Sequence, residues 1–248
     1  MNQYSDFAFV YDELMNEVDY DNWVKYIEDI IKSENVEVQN ILELACGTGN
    51  LTIPLTKKNY DIAAIDISEE MLQVAREKAE KENVELVLLE QDIVELDFDV
   101  PNLDCILCGC DGFNYITYDE DLEGVFVKCH ELLKENGIFI FDISSYYKLS
   151  KVLGNNMYGE NRENVAYMWQ NYFDDYENLV EMDLAFFVRG EDGRFDKFEE
   201  NHLQRAYKNE EIIELLKNAG FNYIETYGDF KLEAPKEDSE RVFFVCKK

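Results

Sequence analysis

Positive charge is scarce in this chain. Only 23 Lys and Arg stand against 54 Asp and Glu among 248 residues, a formal net charge of −31, and no Lys/Arg run is longer than two. An acidic surface repels phosphate backbones and anionic lipid, which counts against nucleic acid and membranes as partners. Small molecules, cationic groups or a basic protein fit better, and solubility alone explains the charge equally well. Long apolar runs are missing too. None approaches the length of a membrane span, and the acid-bearing N-terminus lacks the apolar stretch of a secretory signal. Cysteines stand at 46, 105, 108, 110, 129 and 246 without a metal-binding pattern. Strand alternation points Cys105 away from Cys108 and Cys110, and no second ligand cluster lies nearby, so no metal is expected. Free cysteines in a buried strand suit a reducing, cytoplasmic compartment.

Core-forming material is plentiful. A hydrophobic content of 46%, with 16 Tyr and 16 Phe, excludes wholesale disorder. The length suits one domain carrying an insertion. Trp23, Tyr26, Ile27, Ile30 and Ile31 recur at helical spacing. Strands are expected over 38–44, 60–65, 84–89, 103–108 and 138–143, with helices between them. Ser68 is placed to cap the helix after the second strand, and Leu122, Val125, Phe126, Cys129, Leu132 and Leu133 mark the buried stripe of another. This alternation predicts an α/β fold with a Rossmann-like, doubly wound, mostly parallel sheet. The rhythm then breaks. A short helix is expected within 146–154, and residues 165–173, 179–189 and 195–207 alternate apolar with polar, punctuated by turns at 174–175 and 191–193. That reads as an antiparallel β insertion after strand five. A helix from Asn209 and strands over 221–230 and 241–246 complete a seven-stranded sheet. The expected divisions are therefore 1–145 (core), 146–207 (insertion over the substrate) and 208–248 (completion of the core sheet).

The most informative phrase is Ile41-Leu-Glu-Leu-Ala-Cys-Gly-Thr-Gly49, with Asp66 seventeen positions beyond Gly49. An apolar strand ends in an acid and a glycine-spaced turn, and a second strand ends in another acid before a helix. In open α/β sheets such a turn brings backbone N–H groups to a nucleoside-bearing cofactor, and the second acid accepts its ribose hydroxyls. The dinucleotide fingerprint is not completed, because Thr52 stands where its third glycine belongs, which disfavours NAD and FAD.

Four phrases in order carry a resemblance to the class I S-adenosylmethionine-dependent methyltransferases. They are Glu43–Gly49, Asp66-Ile-Ser-Glu-Glu-Met-Leu72, Gln91-Asp-Ile93 and Glu131-Leu-Leu-Lys-Glu-Asn-Gly137. The opening Tyr11-Asp-Glu-Leu-Met15, with Tyr20 and Trp23, and the later Asp111-Gly-Phe-Asn-Tyr115 and 200–207 stretches resemble a bacterial subgroup of small methyltransferases. The family's turn usually begins with Gly where Ala45 stands, a small loss if φ there stays negative.

The resemblance implies S-adenosyl-L-methionine as cofactor, held by Ala45, Gly47 and Gly49 at the turn and by Asp66, Ile67 and Met71 after strand two. It places Glu43 at the methionine end, directly or through water, and Gln91, Asp92 and Ile93 around the adenine. Tyr11 and Trp23 are candidates for an aromatic lid, with core packing the equal alternative for Trp23. Taken alone, Asp92 reads as well as a solvated loop acid. Asp111, Asn114 and Tyr115 follow strand four, where open α/β folds place ligands, and relatives use a polar residue there on the nucleophile. His202 is a candidate general base, although a strand histidine is more often structural. Tyr167, Trp169, Tyr172, Phe186 and Phe187 of the insertion are expected to wall the acceptor pocket. The expected reaction is in-line methyl transfer to an N or O of a small molecule. Methylation of RNA or protein, or cofactor binding without catalysis, stay as alternatives, and oligomeric state is open.

Overall fold

Residues 7–248, other than 99 and 191, are described by a computed structural model. Helices α1 (Phe7–Leu14) and α2 (Tyr20–Ser33) precede β1 (Asn40–Leu44), α3 (Thr52–Lys57), β2 (Asp61–Asp66), α4 (Glu69–Glu82), β3 (Val87–Glu90) and β4 (Leu103–Cys108). A 3-10 turn (Gly112–Tyr115), α5 (Asp119–Leu132) and β5 (Leu133–Ser144) follow. A π-helical turn (Lys148–Leu153) leads into the insertion strands β6 (Met157–Asn161), β7 (Val165–Asp174), β8 (Leu179–Arg189) and β9 (Phe195–Arg205). The chain ends with α6 (Asn209–Asn218), β10 (Tyr223–Gly228) and β11 (Arg241–Lys247).

Seven strands form one sheet in the order β10-β11-β5-β4-β1-β2-β3. The run from β5 to β3 is parallel, while β11 is antiparallel to both its neighbours. The order reverses between β1 and β4, and open sheets of this kind take ligands beyond the carboxyl ends of the strands at such a switch point. Each face is covered by its own apolar layer. Trp23, Ile27 and Ile30 of α2 pack with Leu55, Leu72 and Cys105 on one side. On the other, Leu122, Phe126 and Cys129 of α5 pack with Phe113, Cys108 and Leu216. The cysteines of β4 thus divide between the faces as strand alternation requires.

Local chemistry explains most boundaries. Ser68 Oγ accepts the Met71 N–H at 3.2 Å and starts α4, which Asn83 ends in the left-handed region at φ 56°. That cap delays β3 to Val87, three residues later than the apolar run suggested. The short helix expected over 146–154 is π-helical.

The insertion is a separate four-stranded antiparallel meander, β6-β7-β8-β9. The sequence does not announce β6: Met-Tyr-Gly-Glu-Asn has no β-branched residue, and the strand exists through its pairing with β7. Of the expected 191–193 turn, Asp192 and Gly193 are among the described residues. Strand alternation corrects the proposed aromatic wall. Tyr167, Trp169 and Phe186 face the cleft, whereas Tyr172 and Phe187, at odd spacing from them, are directed to the opposite face, with Tyr172 52% exposed.

Candidate active site

One cleft of about 1080 Å³ lies over the carboxyl ends of β1, β2 and β4, beneath α1 and the inner face of β7–β9. Its first end is built by the turn after β1. Gly47 and Gly49 have φ of 54° and 75°, and Ala45 stands at φ 53°. The condition under which Ala45 is a small loss, a negative φ, is therefore not met. The turn holds an L-residue in the left-handed region at a cost of roughly 1–2 kcal/mol. Two bonds hold this geometry: the Cys46 N–H donates to the Ile65 carbonyl at 3.0 Å, and the Gly47 N–H donates to Asp66 Oδ2 at 2.7 Å.

Asp66 lines the cleft and is buried. Its Oδ1 accepts the Ser68 N–H at 2.9 Å. Each carboxylate oxygen so employed keeps lone-pair capacity for one further donor, which suits a vicinal diol. Burial raises the Asp66 pKa, and the backbone N–H groups of Ser68, Gly47 and Ile67 counter it. Beside it, Ile67 is 57% exposed. With Ile93, Val94 and the buried Met71 it gives the cleft an apolar stretch. Asp92 lines the same end, with its Oδ1 occupied by the Val94 N–H at 2.8 Å. Gln91 is not among the lining residues. Its backbone N–H donates to the Asp66 carbonyl and its amide to the Asp97 carbonyl, so its role is to shape the loop.

Glu43 lies deeper, 2% exposed, and accepts the Thr52 hydroxyl at 2.7 Å. Burial pushes its pKa up to about 8. The Thr52 hydrogen bond opposes the rise and the Asp66 carboxylate adds to it. The cleft thus holds a nearly neutral acid ready to ionise when a cation arrives.

A strap over this end has no counterpart among the expected site residues. Asp12 of α1 accepts the Thr48 hydroxyl at 2.7 Å and the Asn50 amide at 3.0 Å, and pairs with Lys78 at 2.7 Å. Arg162, between β6 and β7, donates to the Glu13 and Leu14 carbonyls and to Asn16. Helix α1 therefore joins the glycine turn to the insertion. Tyr11 lines the cleft beneath the strap, and burial with its neighbour Tyr20 raises its phenol pKa. Trp23 lines the cleft and packs edge-on against Phe230 and Phe243, under the Arg241 guanidinium at 5.0 Å.

The second end is held by a buried ionic cluster. Arg241 of β11 bonds both Asp142 and Asp111, the latter at 2.8 Å. Asp142 also accepts the Cys110 and Asp111 N–H groups at 2.9 and 3.1 Å, which fixes two successive residues at φ 57° and 55°. Burial raises the Asp142 pKa to about 6 against the pull of Arg241. Asp111 lines the cleft as expected and takes a third bond, from the Gln204 amide at 3.3 Å.

Asn114 is reassigned. It is fully buried, outside the cleft lining, and its amide is engaged at both ends. Nδ2 donates to the Ser144 and Arg205 carbonyls at 3.1 and 2.8 Å, and Oδ1 accepts the Ser144 N–H at 2.9 Å. It clamps β5 and β9 together rather than touching a nucleophile. Asn114→Ala leaves three buried backbone groups unpartnered, and a stability loss of about 2–4 kcal/mol in urea denaturation is expected. A loss of activity with unchanged stability would return Asn114 to the chemistry. Tyr115 and His202 do line the cleft, with ring centroids 5.9 Å apart. His202 is 4% exposed, and burial pushes its pKa down to about 4, so the ring is neutral at neutral pH.

A buried acid beside the glycine turn, a neighbouring apolar stretch and a second, deeper buried acid suit a nucleoside joined to an amino acid. Residues 41–137 match the family model described as Methyltransferase domain. The fold and site are those of a class I S-adenosylmethionine-dependent methyltransferase, and the chain belongs to that family. A Geobacillus sp. (strain WCH70) chain provisionally named a methyltransferase is 37% identical over 246 residues, 99% of each. The S-adenosylmethionine-dependent methyltransferase of Clostridium acetobutylicum ATCC 824 superposes with a TM-score of 0.88 at 40% identity, covering 99% of both chains. The sugar N-methyltransferase of Streptoalloteichus sp ATCC 53650 shares the fold at a TM-score of 0.78 and 16% identity, over 96% of this chain and 92% of its own. Among the described residues no helix is long and apolar enough to cross a membrane.

Proposed function

We propose that this enzyme methylates an amine nitrogen of a small molecule. The observation that carries the reading is the continuity of the cleft from Asp66 to His202 within about 1080 Å³. That exceeds the roughly 300–1,000 Å³ of a pocket for one drug-sized ligand, and so suits cofactor and acceptor together. Its lining carries Asp19, Asp66, Asp92, Asp111 and Asp121, besides the nearly neutral Glu43, against Lys148 and Arg241, a field that favours a cation. Tyr115, Tyr167, Trp169 and Phe186 add ring surfaces that attract an ammonium group. The sugar N-methyltransferase whose fold is shared supports nitrogen as the acceptor atom only by analogy.

The cofactor, when bound, supplies a methyl group already activated by positively charged sulfur. The chain's task is then alignment and exclusion of water. Asp66 and the turn amides orient one end, the clamped 111–115 segment shapes the other, and α1 with the insertion covers both. An amine must shed a proton before it attacks, and it loses that proton to solvent as pH rises. With its pKa near 4, the His202 ring is too weak a base to activate a hydroxyl, which favours nitrogen over oxygen. The test is formation of S-adenosylhomocysteine with matched amines and alcohols across pH. Turnover of amines alone is expected, rising with pH as the amine loses its proton and without an inflection near the ordinary histidine value of 6.5. Turnover of the alcohols, or of neither set, would remove the reading.

A further inference from the structure

Lys148 is the cleft's unexplained cation. It lines the acceptor end from the start of the π-helical turn, half-buried, and its Nζ reaches the Ser144 hydroxyl at 3.3 Å. Among the described residues it forms no ion pair, although acids outnumber Lys and Arg by 54 to 23 in this chain. The other lining cation, Arg241, is committed to Asp111 and Asp142 and to the Trp23 ring. Asp111, Asp142 and Glu240 act on Lys148 only from beyond ion-pair distance, and Arg241 opposes them. Taking its charge out of water is unfavourable, and burial lowers its pKa accordingly. A charge held at such a cost in a ligand cleft calls for an anion.

We propose that Lys148 anchors an anionic group, a carboxylate or a phosphate, carried by the methyl acceptor. This rests on the amine-acceptor reading of the cleft and narrows it to amines that also bear an anion. Placement supports it. Asn114 ties Ser144, four residues before Lys148, to the end of β9 that carries His202. Arg241 is the register partner of Ser144 across the sheet, and its own charge is already taken by Asp111 and Asp142. The two ends of one acceptor can thus meet opposite demands: its amine the rings and His202, its anion the ammonium and the Ser144 hydroxyl. Both anion sources share this chemistry, and the test separates them.

Two measurements decide the matter. The first compares kcat/KM for paired acceptors, 3-aminopropionate against propylamine and phosphoethanolamine against ethanolamine. Wild type should favour an anionic member by roughly 10- to 100-fold, the range of one charge-assisted hydrogen bond. That ratio should fall towards one in Lys148→Met and survive in Lys148→Arg. Which pair shows the preference tells carboxylate from phosphate. The second measurement titrates acetate and inorganic phosphate into the complex with S-adenosylhomocysteine. Binding by wild type and Lys148→Arg but not by Lys148→Met supports the anchor even if no amine is turned over, a result that would overturn the acceptor reading alone. Equal preference in wild type, or equal anion binding by wild type and Lys148→Met, would overturn the anchor.

Discussion

Asp66→Ala is expected to lower the affinity for S-adenosylmethionine by about 30- to 1000-fold, because one carboxylate serves two purposes. Its oxygens are placed to accept the ribose hydroxyls, a contribution of about 1–3 kcal/mol. They also hold the Gly47 and Ser68 N–H groups at 2.7 and 2.9 Å. Without them the glycine turn, which keeps Ala45 at φ 53°, loses the bond that fixes its shape, and a further kcal/mol or so of binding should go with it. Asp66→Asn keeps one acceptor oxygen and should fall between the two. Calorimetric titration of the folded variants checks this order. Unchanged affinity in Asp66→Ala would mean that the ribose is held elsewhere.

Glu43→Gln should strengthen the cofactor-free fold while weakening cofactor binding. Burial raises the folded-state pKa of Glu43 from 4.5 to about 8. The folded protein therefore keeps a proton that the unfolded chain releases. Stability from this group is complete below pH 4.5 and falls as pH rises towards 8. A gap of about three and a half pH units amounts to at most about 5 kcal/mol, and water entering the cleft should reduce it to about 2. Glutamine carries no charge and can still accept the Thr52 hydroxyl. Denaturation curves should coincide for the two proteins near pH 4.5 and separate in favour of Glu43→Gln towards pH 8. The variant loses the carboxylate that would face the cationic end of the cofactor, and its affinity should fall at least tenfold. A stability difference that does not change with pH would show that Glu43 is ionised throughout.

Much of this was legible in the chain because it is written locally. The glycine turn, Asp66 and the Ser68 cap lie within a few residues of the strand ends that position them, and β4 falls where its apolar run does. The site residues that sequence misjudged depend on contacts far along the chain. Asn114 looks like a nucleophile-binding residue after β4, yet its partners Ser144 and Arg205 lie 30 and 91 positions away. Gln91 sits in a motif beside two lining residues but turns its amide to Asp97. Asp12 was quoted within the opening phrase, but only folding brings it to Thr48 and Lys78, 36 and 66 residues on. Arg241 had a faint signal as a lone cation opening an apolar strand, and nothing nearby names its two acids. Ala45 shows a different limit: residue type alone does not tell that this turn holds it at φ 53°.

The account stands or falls on what the cleft binds. Calorimetric titration of the wild-type protein with S-adenosylmethionine and S-adenosylhomocysteine, with NAD as control, tests it most directly. One-to-one binding of both sulfur nucleosides and none of NAD is predicted. Binding of NAD instead, or of none of the three by a folded protein, would contradict the assignment of the glycine turn and Asp66 and every step built on it.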